Sequence, residues 1–525
     1  MTTYSAHEDS VRESGVKDQV KDEGPITVQV EDVPSLTPSL YRPDVDTSAV
    51  DPVKLKRKID FRLLPWLTLL YLMNYLDRGS IGNARLYNMQ RSLHITDKQY
   101  LVALTAFFFP YALLEVPSNL ALKYLRPPRW LPFIVFVWGI AMTCHGFAHN
   151  YGDLIGLRCL LGLAEAGLYP GIVFYLSCWY KRSELGSRIA VFFSAATIAG
   201  AFSGLLAAAI HNMDGIGGRP GWAWIFILEG LFTILVACAS PWVLQDFPES
   251  ARFLTEAERV YIIRDLKEDM RFSADEEKFE LKYLWQCLTD WKTYVTFGIY
   301  MGGGGPVFAF SLFTPTIINE LGFKATAANL LSVPVYAWAC LITFAIATLG
   351  DRLGHRGYRG YINLALFGLA FVAYTILIVS RSAALSYFAI YLAASSLYPI
   401  IPNNSAWVAS NLEGSYKRGA GLAMAISFGN LNGAVTANVY RERDKPWYSL
   451  GHGIVLTYIA IGWLSSLTYT LLLRQENKAR DRGERDEVIG GIENKSAKLH
   501  NGQYSSVADA RKEKGDAWSG FRYTV

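Results

Sequence analysis

Two ionisable residues stand inside an otherwise apolar stretch of the chain. Arg158 and Glu165 lie seven residues apart in the run Tyr151–Tyr180. Seven residues of α-helix bring the chain back to within about 20° of its starting direction and advance it by about 10 Å, so both side chains are expected on one stripe. Because ionised groups are costly inside a membrane and are usually functional there, this stripe is expected to face protein or water.

An arginine in such a place is suited to binding an anion. Its guanidinium donates two parallel hydrogen bonds to a carboxylate and stays protonated, which replaces part of the hydration that the anion loses. Arg78 and Arg158 are the best-placed candidates for substrate contact. Two alternatives stay open: Arg158 forms a structural ion pair with Glu165, or Arg78 reaches toward the lipid headgroups.

Glu165 is the first candidate for proton coupling. An anion bound to Arg158 would weaken the ion pair between Arg158 and Glu165 and so favour protonation of Glu165, which links the two ligands. Glu115 and Asp77 are competing proton carriers, and Glu229 could simply be interfacial.

The elements that must position these residues are long apolar segments. Each is near the roughly 20 residues needed to cross about 30 Å of hydrocarbon. The twelve candidates are Phe61–Ser80, Gln99–Tyr124, Trp130–Ala148, Tyr151–Tyr180, Ser187–Ile210, Trp222–Leu244, Tyr294–Asn319, Ala327–Leu349, Gly360–Ser380, Leu385–Trp407, Gly421–Val439 and Gly453–Leu473. The pattern predicts an all-α membrane protein with twelve transmembrane helices in contact with the lipid bilayer.

Composition excludes several other classes. Apolar residues make up 51% of the chain and charged residues 18%, and the net charge of +4 is spread over short loops, so nucleic acid is not an expected partner. The six cysteines are scattered, no nucleotide-binding Gly-x-x-x-x-Gly-Lys-Ser/Thr run occurs, and no His/Asp/Glu cluster has catalytic spacing. We therefore expect no metal, no cofactor and no enzymatic activity.

Charge and composition divide the chain into five parts. We predict a disordered N-terminal tail at 1–58, a six-helix bundle at 59–245, a linker with an amphipathic helix at 246–290, a second six-helix bundle at 291–474, and a C-terminal tail at 475–525 with little order beyond a short helix.

Lysine and arginine cluster in alternate loops, although the cations at 85–98 and 441–445 break the trend. By the positive-inside rule, both tails and the linker are expected in the cytoplasm.

The sequence Gly-Asp-Arg-Leu-Gly-His-Arg at 350–356 resembles the cytoplasmic loop signature of the major facilitator superfamily, over roughly 60–474. A weaker copy after the second span has Pro127-Pro128 where the superfamily has an acidic residue. Four further blocks resemble fungal anion:cation symporters of the allantoate permease type. These blocks are 74–84, 110–119, 158–171 and 426–430.

The resemblance implies two pseudo-symmetric bundles that alternate access to a central site. It implies import of a small organic anion, such as allantoate, nicotinate or pantothenate, with protons, by a monomer in the plasma membrane. It assigns Asp351 and Arg352 to a gate that binds neighbouring helix ends. A remoter resemblance, to animal vesicular carriers, links Arg78, Arg158 and Glu165 to substrate and proton handling.

Other residues have two possible roles. The cluster Gly302–Gly305, with Gly303 as the proposed gating residue, is either a hinge or a site of close helix packing. Asn403 and Asn430 either contact substrate or bond neighbouring helices, and Tyr169 could line the pocket.

At the level of the whole protein, a proton-driven exporter and a nutrient receptor with the same fold are the alternatives to import.

Overall fold

A computed structural model describes residues 42, 44–181, 183–268, 281–322, 325–354, 358–440, 444, 447–490 and 499–525. Most of the predicted N-terminal tail, part of the linker (269–280), His355 and Arg356 of the signature loop, and the loop cations Arg182, Arg441, Arg443 and Lys445 lie outside these residues.

The first bundle is built from long helices that start at recognisable caps. Asp51 accepts hydrogen bonds from the first turn of α1, Thr96 and Gln99 form a capping box at α3, and Asn150 caps α5. The helices are α1 (Pro52–Leu86), α2 (Met89–Ser92), α3 (Asp97–Leu125), α4 (Pro127–His145), α5 (Tyr151–Glu165), α6 (Leu168–Ser177), α7 (Leu185–His211) and α8 (Gly221–Val243). Helix α1 thus begins inside the segment predicted as the tail.

The linker and the second bundle follow. The linker carries α9 (Glu256–Glu268) and α10 (Leu281–Thr289). The second bundle consists of α11 (Trp291–Glu320), α12 (Ala325–Gly354), α13 (Arg359–Val379), α14 (Ala383–Ser410), α15 (Ser415–Thr436) and α16 (Ser449–Asp481).

Within the described residues, nine helical segments are long and apolar enough to cross a membrane, one of them formed by α5 and α6 together. The other three predicted spans fall on α1, α4 and α15. Helix α1 packs on α7, and α4 packs on α8; in the second bundle α11 packs on α15 and α16. The bundles meet where α3 contacts α15 and α7 contacts α12. The all-α, two-bundle architecture is confirmed.

The fourth predicted span is broken. Helix α5 ends at Glu165, and α6 starts at Leu168 after Gly167, whose φ of 87° lies in the left-handed region. A Cβ on Gly167 would lie 2.2 Å from Ser118 Oγ, so the position also needs glycine for space. The break therefore places Glu165 at a helix end, which the continuous apolar pattern did not predict.

The glycine cluster lies inside a continuous helix. Helix α11 runs without interruption through Gly302–Gly305. A Cβ on Gly302 would lie 2.3 Å from the Cα of Gly462, and one on Gly303 would lie 2.8 Å from Ile400. In this conformation the glycines allow α11 to pack closely on α16 and α14, which is the packing alternative, and a hinge at Gly303 stays a prediction.

The C-terminal tail is more ordered than expected. Strand β1 (Val488–Ile489) pairs in parallel with β2 (Gln503–Tyr504), and α17 (Val507–Lys514) follows. Phe521, Tyr523 and Val525 are buried. Because the average hydropathy of the tail is low, the burial of these few apolar residues was not predicted.

Candidate functional site

A small cavity lies between the two bundles. Its volume is about 40 Å³, enough for a few water molecules and far below the roughly 300–1,000 Å³ of typical small-molecule pockets. It is lined by Tyr71, Tyr75, Arg78, Tyr111, Tyr169, Phe193, Tyr300, Gly304, Val307, Phe308, Ile401, Ile426, Gly429 and Asn430. An organic ligand can therefore enter only when the bundles move apart.

Arg78 supplies the positive charge of this cavity. Its guanidinium forms an ion pair with Glu165, which is fully buried and also accepts a hydrogen bond of 2.6 Å from Asn74 Nδ2. The second carboxylate oxygen, Glu165 Oε2, is buried without a hydrogen-bond partner among the described residues. Both contacts of the Glu165 carboxylate are thus made by Oε1, and Oε2 is available to bind a proton.

Four aromatic rings surround the guanidinium of Arg78. Their centroids lie 5.0 Å (Tyr111), 5.5 Å (Phe107), 5.8 Å (Phe308) and 5.9 Å (Tyr75) from its central carbon. Cation–π attraction stabilises a charge that has lost its water. Because Phe308 belongs to the second bundle, the environment of Arg78 changes when the bundles separate.

Arg158 lies elsewhere. It is 3% exposed, does not line the cavity, and its Nε and Nη2 have no hydrogen-bond partner within the described part of the chain. The predicted ion pair with Glu165 is not formed there, because a rise of about 10 Å over seven helical residues separates the two groups. Arg78 on α1 is the residue that reaches Glu165.

Two polar contacts join the bundles beside the cavity. Asn430 Nδ2 donates to Glu115 Oε1 at 3.1 Å, and the hydroxyls of Tyr169 and Ser405 lie 2.8 Å apart. Glu115 is fully buried. The structure thus brings Asn430, Tyr169 and Glu115 to the site, as side chains whose partners belong to the opposite bundle.

Asp77 belongs to a separate polar cluster in the first bundle. Its Oδ2 accepts from Thr233 Oγ1 at 3.3 Å, and Glu229, one turn away on α8, accepts from Ser80. Asp77 Oδ1 and Glu229 Oε1 are buried without hydrogen-bond partners among the described residues. Neither carboxylate lines the cavity, so a role for Asp77 would be indirect. Glu229 is buried within the first bundle.

Asn403 does not contact the cavity. Its amide donates to the carbonyl of Arg359 at 3.2 Å and to Asn363 Oδ1 at 3.4 Å. In this conformation Asn403 forms the interhelical bonds that were one of its two predicted roles, and substrate contact stays a prediction.

One end of the molecule is closed by contacts between the bundles. Asp351 Oδ1 accepts from the main-chain N–H of Gly186 at 2.9 Å and from Arg359 Nη2 at 2.6 Å, and its Oδ2 accepts from Ser187 N–H at 2.6 Å. Asp351 thus binds the start of α7 across the bundle boundary, as the signature loop implies. Arg352 is exposed at the end of α12.

The same end has a second closing contact, related by the internal repeat. Asn119 Nδ2 on α3 donates to the carbonyl of Gly419 on α15 at 2.6 Å, and Lys123 Nζ lies 3.8 Å from the centre of the Tyr416 ring. An amide and a cation–π contact thus replace the carboxylate that the first half lacks. We call this end, marked by Asp351, Gly186, Asn119 and Gly419, the Asp351 face.

The opposite end is also closed. Phe108 on α3 packs edge-on against Phe308 on α11, with ring centroids 5.7 Å apart, and Asn438 Nδ2 donates to Thr105 Oγ1 at 3.3 Å. With contacts on both sides of the cavity, the structure is an occluded conformation.

Most of the aromatic residues that line the cavity were not predicted from the sequence. Tyr71, Tyr75, Tyr111 and Tyr300 line the cavity, and the spacing of Tyr71 and Tyr75 on one face of α1, shared by Arg78, was the available signal. No group of three or more His, Cys, Asp or Glu side chains within the described ranges is placed to hold a metal ion.

Comparisons with known proteins agree with this architecture. The family model described as Major Facilitator Superfamily matches residues 67–437. The MFS-type transporter cnsO of Penicillium expansum is 35% identical over 438 residues, which cover 81% of this chain and 84% of that protein. The crystal structure of a variant of the E. coli Fucose:proton symporter FucP covers 78% of this chain and 99% of its own, with a TM-score of 0.56 and 12% identity. That of the human organic anion transporter MFSD10 covers 78% and 99%, with a TM-score of 0.54 and 13% identity.

Proposed function

The chain belongs to the major facilitator superfamily and is a multi-pass membrane transporter, and we propose that it imports a small organic anion together with protons. The proposed substrates are carboxylates of the size of nicotinate, allantoate or pantothenate. One observation carries the proposal: the guanidinium of Arg78 lines the central cavity, and its partner there is the buried carboxylate of Glu165.

The ion pair provides a route for coupling. An entering carboxylate competes with Glu165 for the guanidinium of Arg78. A buried carboxylate that loses its cation is strongly destabilised, and binding a proton at Oε2 removes that charge. Anion binding and protonation of Glu165 therefore favour each other, and this coupling is reciprocal.

Release reverses these steps. When the proton leaves Glu165 on the other side of the membrane, the ion pair with Arg78 forms again and the anion loses its cation. Import then follows the inward proton gradient.

The wall of the cavity supports an organic rather than an inorganic anion. The cavity that Arg78 lines is also lined by five tyrosines, Tyr71, Tyr75, Tyr111, Tyr169 and Tyr300. Rings of this kind pack against a flat or apolar substrate body, while their hydroxyls bond its polar groups.

Alternating access follows from the two sets of closing contacts. We propose that the bundles rock about the cavity, so that the Asp351 face and the opposite end open in turn. The positive charge of the alternate loops favours a cytoplasmic position for the Asp351 face and both termini. We propose that the transporter acts as a monomer in the plasma membrane. Asp351 is the proposed gate, Arg352 its exposed neighbour, and Gly303 a packing contact within the moving bundle.

The anion site is tested with the substitution Arg78→Lys in purified protein reconstituted into vesicles. Uptake of labelled nicotinate, allantoate and pantothenate is measured with an inward proton gradient. Lysine keeps the charge but loses one charge-assisted hydrogen bond, so uptake of the transported compound at low concentration should fall by about tenfold or more. The matched control is Arg85→Lys on the same helix, whose partner Asp97 is exposed. Equal uptake by both variants would reject Arg78 as the anion contact.

The proton site is tested with Glu165→Gln. This variant should no longer accumulate substrate against a gradient but should still exchange labelled for unlabelled substrate, because glutamine keeps the shape and cannot release a proton. Glu184→Gln, at the start of α7, is the control. Unchanged accumulation by Glu165→Gln would move the proton to Glu115 or Asp77.

A further inference from the structure

The end of the chain folds onto the second bundle. Residues 499–525, here called the C-terminal segment, contain β2, α17 and a final stretch whose Asp516 is fully buried. Arg480, near the end of α16, donates hydrogen bonds to the main-chain carbonyls of Asp516, Trp518 and Phe521. These contacts fix the path of the segment beneath the helix ends.

A buried group of four charges lies at the centre of this contact. Asp516 Oδ2 is 2.5 Å from Lys292 Nζ at the start of α11, and Asp516 Oδ1 is 2.7 Å from Lys417 Nζ at the start of α15. Asp290 lies 3.0 Å from Lys292 and 3.2 Å from Lys417. Without Asp516, two buried ammonium groups would share one carboxylate and repel each other.

The last residues hold the connection between α14 and α15. The carbonyl of Thr524 accepts from Trp407 Nε1 at 2.8 Å and from Asn411 Nδ2 at 2.9 Å, and the Thr524 N–H donates to Asn411 Oδ1 at 2.8 Å. Arg511 on α17 pairs with Glu413 at 3.6 Å. The C-terminal segment thus contacts four residues between positions 407 and 417, which are Trp407, Asn411, Glu413 and Lys417.

This connection leads directly to the Asp351 face. Two residues beyond Lys417, the carbonyl of Gly419 accepts the hydrogen bond from Asn119 of the first bundle. Gly419 therefore follows directly on the residues that the C-terminal segment contacts.

We propose that the C-terminal segment is a built-in latch: it holds the start of α15 in the position in which Gly419 meets Asn119, and its release favours opening of the Asp351 face. The latch acts on conformation and does not depend on which compound is transported. It is the same for an importer and an exporter, so it stands apart from the function proposed above.

Cys287 on α10 is a native reporter of the latch. The residue is 1% exposed, and its thiol donates to the carbonyl of Lys417 at 3.3 Å. Burial raises the pKa of the Cys287 thiol to about 12, so it should react slowly with a maleimide while the latch is closed.

The first test uses the full-length protein with Asp516→Asn. Labelling of Cys287 by N-ethylmaleimide, quantified on its peptide by mass spectrometry, should become faster by about tenfold or more, because loss of a buried counter-ion increases local opening. The control is Asp481→Asn, which removes an exposed ion pair with Arg522 of the same segment. Equal rates in the two variants would overturn the latch.

The second readout distinguishes a segment that controls opening of the Asp351 face from a segment that only stabilises the second bundle. Spin labels at Tyr124 at the end of α3 and at Tyr358 before α13, both exposed, report the distance between the bundles at the Asp351 face. Asp516→Asn should shift the distance distribution toward longer values. Faster labelling of Cys287 with an unchanged distribution would show that the segment does not control this face, and would overturn the proposal.

Arg511→Gln keeps the proposal testable if Asp516→Asn fails to fold. This substitution removes only the contact with Glu413 and leaves the buried charges in place. It should move both readouts in the same direction by a smaller amount, and no change in either one would contradict the latch.

Discussion

Replacing Asp351 with asparagine should open the Asp351 face. The carboxylate accepts three hydrogen bonds, two of them from the first main-chain N–H groups of α7 and one from Arg359. Asparagine has a single acceptor oxygen, so its amide nitrogen would face either the Ser187 N–H or the other donors. The negative charge at the start of α7 is also lost.

The magnitude follows from these contacts. A hydrogen bond to a charged group contributes about 1.5–3 kcal/mol, and a charge at a helix N-terminus adds about 0.3–1 kcal/mol. We expect Asp351→Asn to destabilise the closed face by about 2–4 kcal/mol, which corresponds to roughly a 30- to 700-fold shift toward the open form.

The assay follows access to the cavity from one side. Ile401, which lines the cavity and is 8% exposed, is replaced by cysteine after the six native cysteines have been removed. Vesicles of known orientation are then treated with a membrane-impermeant thiol reagent. Asp351→Asn should speed the labelling of the new cysteine from the side of the Asp351 face only.

The control is Asp60→Asn, because Asp60 binds Arg188 and Tyr180 within the first bundle and lies at the same end of the protein. If Asp351→Asn changes the labelling rate by less than about threefold, or no more than Asp60→Asn does, the contact with α7 does not hold the face closed.

Two further predictions concern the helix break and the latch. Gly167→Ala should lower the melting temperature of the detergent-solubilised protein, because a left-handed φ costs alanine about 1–2 kcal/mol and its Cβ would overlap Ser118; Gly156→Ala on α5, which meets open space, is the control, and equal melting temperatures would contradict the role of the break. Burial alone would raise the pKa of Asp516, but Lys292 and Lys417 outweigh it and hold that pKa well below its usual range. A depressed pKa gives stability that is present above the unfolded-state pKa of about 3.9 and is lost only as the pH falls through the lower folded value. The difference in melting temperature between the native protein and Asp516→Asn should therefore stay constant from about pH 8 to about pH 5, and a difference that shrinks within that range would show that Asp516 titrates there.

The sequence determined the spans and the fold class, because insertion of a segment into a bilayer depends on its length and apolar character, which are local properties of the chain. The contiguous signature loop also singled out Asp351, which contacts the other bundle, and the apolar run around Glu165 singled out Glu165 as a buried carboxylate. Each of these inferences needed only residues close together in the chain.

Only the tertiary structure decided which arginine meets Glu165. The two candidates lie on different helices, and the choice depends on how α1 and α5 are rotated and how far apart they pack, which no pattern along one helix contains. Arg158 is separated from Glu165 by two turns of the same helix, whereas Arg78 comes from 87 positions earlier and touches it. The break at Gly167 and the position of Asp516 between Lys292 and Lys417 also depend on contacts between segments that are distant in the chain. Average composition over a stretch of sequence does not reveal the single residues that make such contacts.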